Sequence, residues 1–204
     1  KIIAAVENGK LVEIYEENEK SQKARNEGNI YLGIVKDIVP GMQAAFVDVG
    51  TEKNSFIHVK DLVPQVDEKI QKRVDTKIKD VVKVGQKILI QIQKDSNDKK
   101  GARTSTHIKL TGKYVVLMPN TNIVTISQKI ENEKERERLL NIIKNILPEN
   151  TGAIIRTAGI KKNEKELKED LEQLLKKWKN IKEQFNENSD KSQLLYKSPS
   201  ILEK

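Results

Sequence analysis

Between Asn29 and Leu110 the chain offers little but short β-prone runs, each cut off by a glycine or a proline. The runs are "NIYLGIVKDIV", "AAFVDVG", "SFIHV", "QKILIQIQKD" and "ARTSTHIKL", broken at Pro40-Gly41, Gly50, Gly85 and Gly101. Strands this short must bury one face and hide their edges, and a small barrel does both. The segment from Leu62 to Val84 is polar and charged, and we expect a variable loop with room for a helical turn.

The flanks differ. "KIIAAVENGKLVEIYEEN" is two β-prone runs around Asn8-Gly9, a dipeptide suited to a tight turn, and predicts a hairpin. After the barrel, "KYVVLMPN", "NIVTIS" and "TGAIIRT" predict strands. "NEKERERLLNIIKNILP" sets Leu139, Leu140, Ile142, Ile143, Ile146 and Leu147 along one broad face and stops at Pro148, as an amphipathic helix does. A second helix follows, with Asn163 and Glu166 as its capping box and a core stripe at Leu167, Leu171, Leu174, Leu175, Trp178, Ile181 and Phe185. The expected plan is an α+β module, strands with two helices on one face. "SQLLYKSPSILEK" is expected to end without a closing element.

Alternation in the barrel strands singles out two rings. In "AAFVDVG", Ala45, Val47 and Val49 read as core, which puts Phe46 on the other face with Asp48. In "SFIHV", Ile57 and Val59 read as core, so Phe56 and His58 face away. Outward rings beside lysines suit single-stranded nucleic acid: bases stack on the rings and cations hold phosphates. Tyr31, Lys36 and Lys100 extend such a surface; the plain alternative is that both rings pack under the 62–84 loop. A net charge of +8 across 204 residues agrees with a polyanionic partner. His58 and His107 have no partner at metal-ligand spacing.

The chain contains no cysteine, which removes disulfides, thiolate zinc sites and a cysteine nucleophile, and leads us to expect a cytoplasmic protein. No apolar run approaches the roughly 18 residues of a membrane helix. A start at Lys1 rather than Met leads us to expect a longer parent chain.

Arg156 and Thr157 close the apolar run "GAII" and precede Ala158-Gly159. A guanidinium and a hydroxyl at a strand exit read as groups held out for a ligand. The alternatives are a surface ion pair for Arg156 and a turn or helix cap for Thr157.

"GNIYLGIVKDIVPGMQAAFVDVGTEKNSFIHVKDL" resembles the S1-type RNA-binding domain of the ribonuclease E/G family. "VGQKILIQI", "KKGARTSTHIKLTGKYVVLMPN", "ISQKIE" and "IIRTAG" continue the likeness in the family's order. The resemblance implies a fold: a partial RNase H-like subdomain surviving as the hairpin (1–24), an S1 domain of OB-fold type (25–107) and a 5′-sensor domain (108–204). It implies that Phe46, Phe56 and Lys100 clamp single-stranded RNA. It implies that Gly112, Val116, Arg156 and Thr157 grip a 5′-terminal monophosphate, with the guanidinium forking onto phosphate oxygens and the glycine letting backbone come close. Two positions depart from the family pattern: Gln128-Lys129 replaces a pair of arginines, and Leu32 stands where a lysine is usual.

The family cuts RNA with a later domain, where two aspartates hold magnesium, and joins subunits through a cysteine-bound zinc. The resemblance therefore implies a homo-oligomeric, metal-dependent parent endoribonuclease of RNA processing and decay, and a fragment without catalytic or metal-ligating residues. Asp48, Asp61 and Asp170 form no paired-carboxylate motif, and Asp170 is expected on a solvated helix face. Two other readings stay open: a stand-alone S1-type RNA-binding protein, and a basic module for acidic protein partners.

Overall fold

The computed structural model describes residues 2–7, 10–16, 26–62, 76–187 and 190–199. Strands β1 (Ile2–Glu7) and β2 (Lys10–Glu16) pair antiparallel as the expected hairpin, with Glu7 opposite Lys10. The Asn8-Gly9 turn itself lies outside the described residues.

Five strands build the barrel: β3 (Ile30–Val39), β4 (Ala44–Asp48), β5 (Ser55–His58), β6 (Lys87–Lys94) and β7 (Arg103–Ser105). Strand β3 is long enough to serve two neighbours. Its first half pairs with β6 and its second half with β4, and a bulge between Val35 and Asp37 lets it turn the corner. Gly33 sits on the inward face, where a Cβ would stand 2.5 Å from a Val47 methyl. The interior holds Tyr31, Val35, Ala45, Val47, Ile57, Ile90 and Ile92. The 62–84 segment supplies more than a loop. Its helical turn α1 (Ile78–Val81) drives a fully buried Ile78 into the barrel, while the Ile78 N–H donates to Gln43 Oε1 at 2.9 Å. Residues 63–75 lie outside the described set.

The second sheet runs β10-β11-β9-β8, built from β8 (Leu110–Thr111), β9 (Val115–Pro119), β10 (Val124–Ile126) and β11 (Thr151–Ile155). "ARTSTHIKL", expected as one strand, is thus divided between two sheets: β7 closes the barrel and β8 opens the next unit. Between them, buried Gln91 donates from Nε2 to the carbonyls of Gly28 and Lys109 and accepts from the Lys109 N–H, so the crossing backbone stays bonded. Strands β10 and β11 are parallel, and helix α2 (Glu133–Ile146) makes the crossover between them. Asn132 caps α2 by accepting from the Glu135 N–H. Helix α3 (Glu164–Asn186) starts at the expected Asn163–Glu166 capping box. Both helices lay apolar faces, Leu139 and Ile143 from one and Leu167, Leu171, Leu174 and Trp178 from the other, on Val115, Leu117, Ala153 and Ile155.

The chain does not trail off after α3. Strand β12 (Gln193–Tyr196) returns and pairs antiparallel with β3, opposite Ile30 to Leu32. Because Ile30 and Leu32 also pair with β6, and Ile34 pairs with both β6 and β4, β12 takes the edge of β3 that β4 leaves at Asp48. Strand β3 is therefore covered on both faces. Tyr31 and Val35 point into the barrel, whereas Ile30 and Leu32 join Leu174, Trp178, Ile181 and Leu195 in the core of the second unit. Leu32, expected as a lost phosphate contact, is wholly buried and is a packing position.

Candidate nucleic-acid interface

The ring face forms as alternation requires. Phe46 and Phe56 are cross-strand partners, both half-buried, with centroids 6.1 Å apart and planes at 68°. That is an edge-to-face pair, so each ring keeps a face to offer. The register carries the row further than sequence reasoning did: Phe56 is opposite Arg103, and Arg103 is opposite Lys94. The Arg103 side chain is 61% exposed and its Nη2 lies 3.0 Å from Asp61 Oδ2, which orients a guanidinium next to the rings. Arg103 was missed because "ARTSTHIKL" gives no register by itself; its place appears once β7 is laid parallel to β5.

The lysines and the tyrosine fare differently. Lys36 lies near the rings but 3.5 Å from Asp48 Oδ2. The Gly50 N–H, the Ser192 hydroxyl and Lys36 all bind that carboxylate and hold its pKa below the ordinary value, the Gly50 bond contributing most. Lys100 sits in a tight turn in which the Asn97 side chain accepts from the Lys99 and Lys100 N–H groups, and its exposed ammonium has no partner among the described residues. Tyr31, expected beside the rings, is 7% exposed inside the barrel, because its alternation partners are Gly33 and Val35. His58 Nδ1 accepts the Lys60 N–H at 3.2 Å and caps the short turn that follows β5.

The second group converges at one end of the other sheet. Val116 pairs with Thr111 on one side and Ile154 on the other, on the face away from the helices. Arg156 continues that face two residues after Ile154. Its backbone N–H donates to the Tyr114 carbonyl at 2.8 Å, and its Nη1 donates to the Gly112 carbonyl at 2.6 Å and the Lys113 carbonyl at 3.4 Å. No carboxylate touches the guanidinium among the described residues, which disposes of the surface ion pair. The commitment of Nη1 leaves the Nε–Nη2 edge, two parallel N–H groups, without a partner in that set. Thr157 is exposed at the start of a 3-10 turn (Thr157–Gly159), and its hydroxyl makes no hydrogen bond among the described residues. Gly112, Val116, Arg156 and Thr157 thus come together around the 112–115 turn. Gln128 and Lys129 are exposed in the turn after β10, whose Ser127 N–H donates to the Ile155 carbonyl.

Asp170 is not on a solvated face. Its Oδ1 accepts the Lys113 N–H at 3.0 Å, and its Oδ2 accepts the N–H groups of Tyr114 and Val115 at 2.7 and 2.9 Å. The signal was present in sequence, since residue 170 falls at helical spacing between Leu167 and Leu174. Close by, the Tyr114 ring has the ammonium groups of Lys113 and Lys162 each 5.1 Å from its centroid. The turn after Thr157 is held from α2: Glu135 accepts from both nitrogens of an Arg138 fork and from the Lys161 N–H, and Arg138 donates to the Lys162 carbonyl. Arg138, then the Lys161 N–H, hold the Glu135 carboxyl down to about 2. Among the described residues no cluster of His, Cys, Asp and Glu is fit to hold a metal ion, and no helix is long and apolar enough to cross a membrane.

A barrel with an aromatic, cationic face belongs to a known class: residues 25–107 match the S1 RNA binding domain. Residues 109–204 match the ribonuclease E/G family. Similar proteins include ribonuclease G of Haemophilus influenzae, 40% identical over 98% of this chain and 41% of that protein. Ribonuclease G of Escherichia coli is 38% identical over 94% of this chain and 40% of its own length. Ribonuclease E of a Nostoc species is 41% identical over 77% of this chain and 22% of its own. The chain belongs to the ribonuclease E/G family and spans about two fifths of the length of the ribonuclease G relatives.

Proposed function

We propose that this chain is the RNA-recognising part of an endoribonuclease of the E/G type, acting in RNA processing and decay in the cytoplasm. A single strand lies across Phe46 and Phe56, with Arg103, Lys94 and Lys100 near its phosphates. Its 5′-monophosphate seats in the notch of Gly112, Val116, Arg156 and Thr157. The observation that carries the reading is the unpartnered Nε–Nη2 edge of Arg156. It is a bidentate fork already aimed by two carbonyls, so little side-chain entropy remains to be lost on binding a phosphate. The Thr157 hydroxyl stands free beside it. A notch closed around one phosphoryl group disfavours a triphosphate by bulk and by charge without a partner.

Magnesium and zinc, which the family implies, find no fitting ligands among the described residues, and the sequence has no thiol. Cleavage and assembly into oligomers are accordingly assigned to a whole enzyme, and no chemical step to this chain. The test compares matched short RNAs carrying a 5′-monophosphate, 5′-triphosphate or 5′-hydroxyl. Tighter binding of the monophosphate, lost in Arg156→Ala, is the expected result. Equal binding of all three would leave a plain S1-type RNA binder instead.

A further inference from the structure

We propose that Asp170, a helix residue outside the phosphate notch, is the positioning residue that sets the notch's geometry. The inference rests on the 5′-end reading above and extends it to a residue that touches no RNA.

The argument starts from where the Arg156 guanidinium is anchored. Its Nη1 is fixed by the carbonyls of Gly112 and Lys113, so its aim is only as good as the placement of that turn. Internally the turn has a single described hydrogen bond, from the Gly112 N–H to the Val115 carbonyl at 2.8 Å. The remaining N–H groups, those of Lys113, Tyr114 and Val115, all converge on one carboxylate. Three successive amides on an anion form a strong, charge-assisted clamp. Asp170 comes from α3, whose Leu167, Leu171 and Leu174 are buried in the core on either side of it, so the clamp is tied to the rigid body of the domain.

Two consequences make the arrangement specific. Gly112 must lack a side chain: a Cβ there would stand 2.6 Å from Asp170 Oδ1 and 2.7 Å from Oδ2. Besides letting the chain approach a ligand, the glycine therefore lets the carboxylate approach the chain. Asp170 is also spent on the backbone. Both oxygens are occupied by N–H groups, so the nearby negative charge does not pair with Arg156 and does not compete with a phosphate for it.

The experiment uses the full chain with two matched RNAs, one 5′-monophosphorylated and one 5′-hydroxylated, against the parent, Asp170→Asn, Gly112→Ala and Arg156→Ala. Asparagine keeps the shape but offers one acceptor oxygen where three N–H groups need two. The preference for the monophosphate is expected to fall about 10- to 100-fold in Asp170→Asn, the size of effect a misplaced binding group gives. Affinity for the hydroxyl RNA stays unchanged. The amide resonances of Lys113, Tyr114 and Val115 are expected to shift, a change that general destabilisation would not confine to three residues. Gly112→Ala, which displaces the same carboxylate from the other side, is expected to copy the loss and serves if Asp170→Asn does not fold. Retention of the parental preference by a folded Asp170→Asn, while Arg156→Ala loses it, overturns the positioning role alone. A parent without preference, or an Arg156→Ala that keeps it, overturns the 5′-end reading and this inference with it.

Discussion

Truncating the two rings tests the platform most directly. Phe46 and Phe56 are both half-buried, 6.1 Å apart and edge-to-face, so each offers one surface to a base and one edge to its partner. A stacked base is worth about 1–3 kcal/mol by alanine substitution, or roughly 5- to 150-fold in affinity. Phe56 lies between Phe46 and Arg103 in the row, so Phe56→Ala removes a stacking surface and also the edge that steadies its neighbour. Phe56→Ala is therefore expected to cost more than Phe46→Ala. The double variant should fall short of the sum, because a ring cannot lose the same partner twice. Folding should suffer little: full truncation of a core phenylalanine costs about 3–5 kcal/mol, and half-buried rings stand well below that. The assay is fluorescence anisotropy with a short unstructured RNA, in 5′-hydroxyl and 5′-monophosphate forms, alongside thermal melts. Affinity for both RNAs drops by the same factor, and the 5′-end preference survives. Two folded single variants that bind as tightly as the parent would refute the stacking argument.

Arg103→Gln removes one exposed cation from the same row and leaves the rings. It should weaken RNA binding and lower the slope of log affinity against log salt by about one, read from a salt titration. Leu32→Lys, which puts back the residue usual in the family, is expected to destabilise the fold by about 3–5 kcal/mol in urea denaturation, since it buries an unpaired ammonium. Glu135 gives a pH dependence. Its folded pKa of about 2 lies below the ordinary 4.5, so the stability it contributes is complete above about 4.5 and is lost as pH falls towards 2. Unfolding curves of the parent and Glu135→Gln should therefore differ at pH 7 and converge across that window.

Local patterning carried much of the fold. Period-two alternation placed Phe46 and Phe56 correctly because each strand's inward set is unbroken, and helical spacing with a capping box placed the start of α3. It failed where one segment answers to two cores. "IYLGIV" looks like an ordinary barrel strand, and nothing local shows that Leu32 faces a second hydrophobic core or that Tyr31 faces the first. Strand β12 was missed for the same reason, since a short run of "QLLY" acquires meaning from a partner 160 residues earlier, at Leu32 to Ile30. The notch residues came from motif likeness. Asp170 was overlooked because a carboxylate in a Lys/Glu-rich helix resembles its solvated neighbours until the backbone it binds is in view.

The doubly covered β3 has a consequence for RNA length. With one face in the barrel and the other in the domain that carries Arg156, it welds the two recognition surfaces into a gauge of fixed span. On the proposed reading, an oligonucleotide too short to bridge them gains nothing from the second surface. One just long enough should tighten abruptly, as tethering converts a second encounter into an intramolecular one.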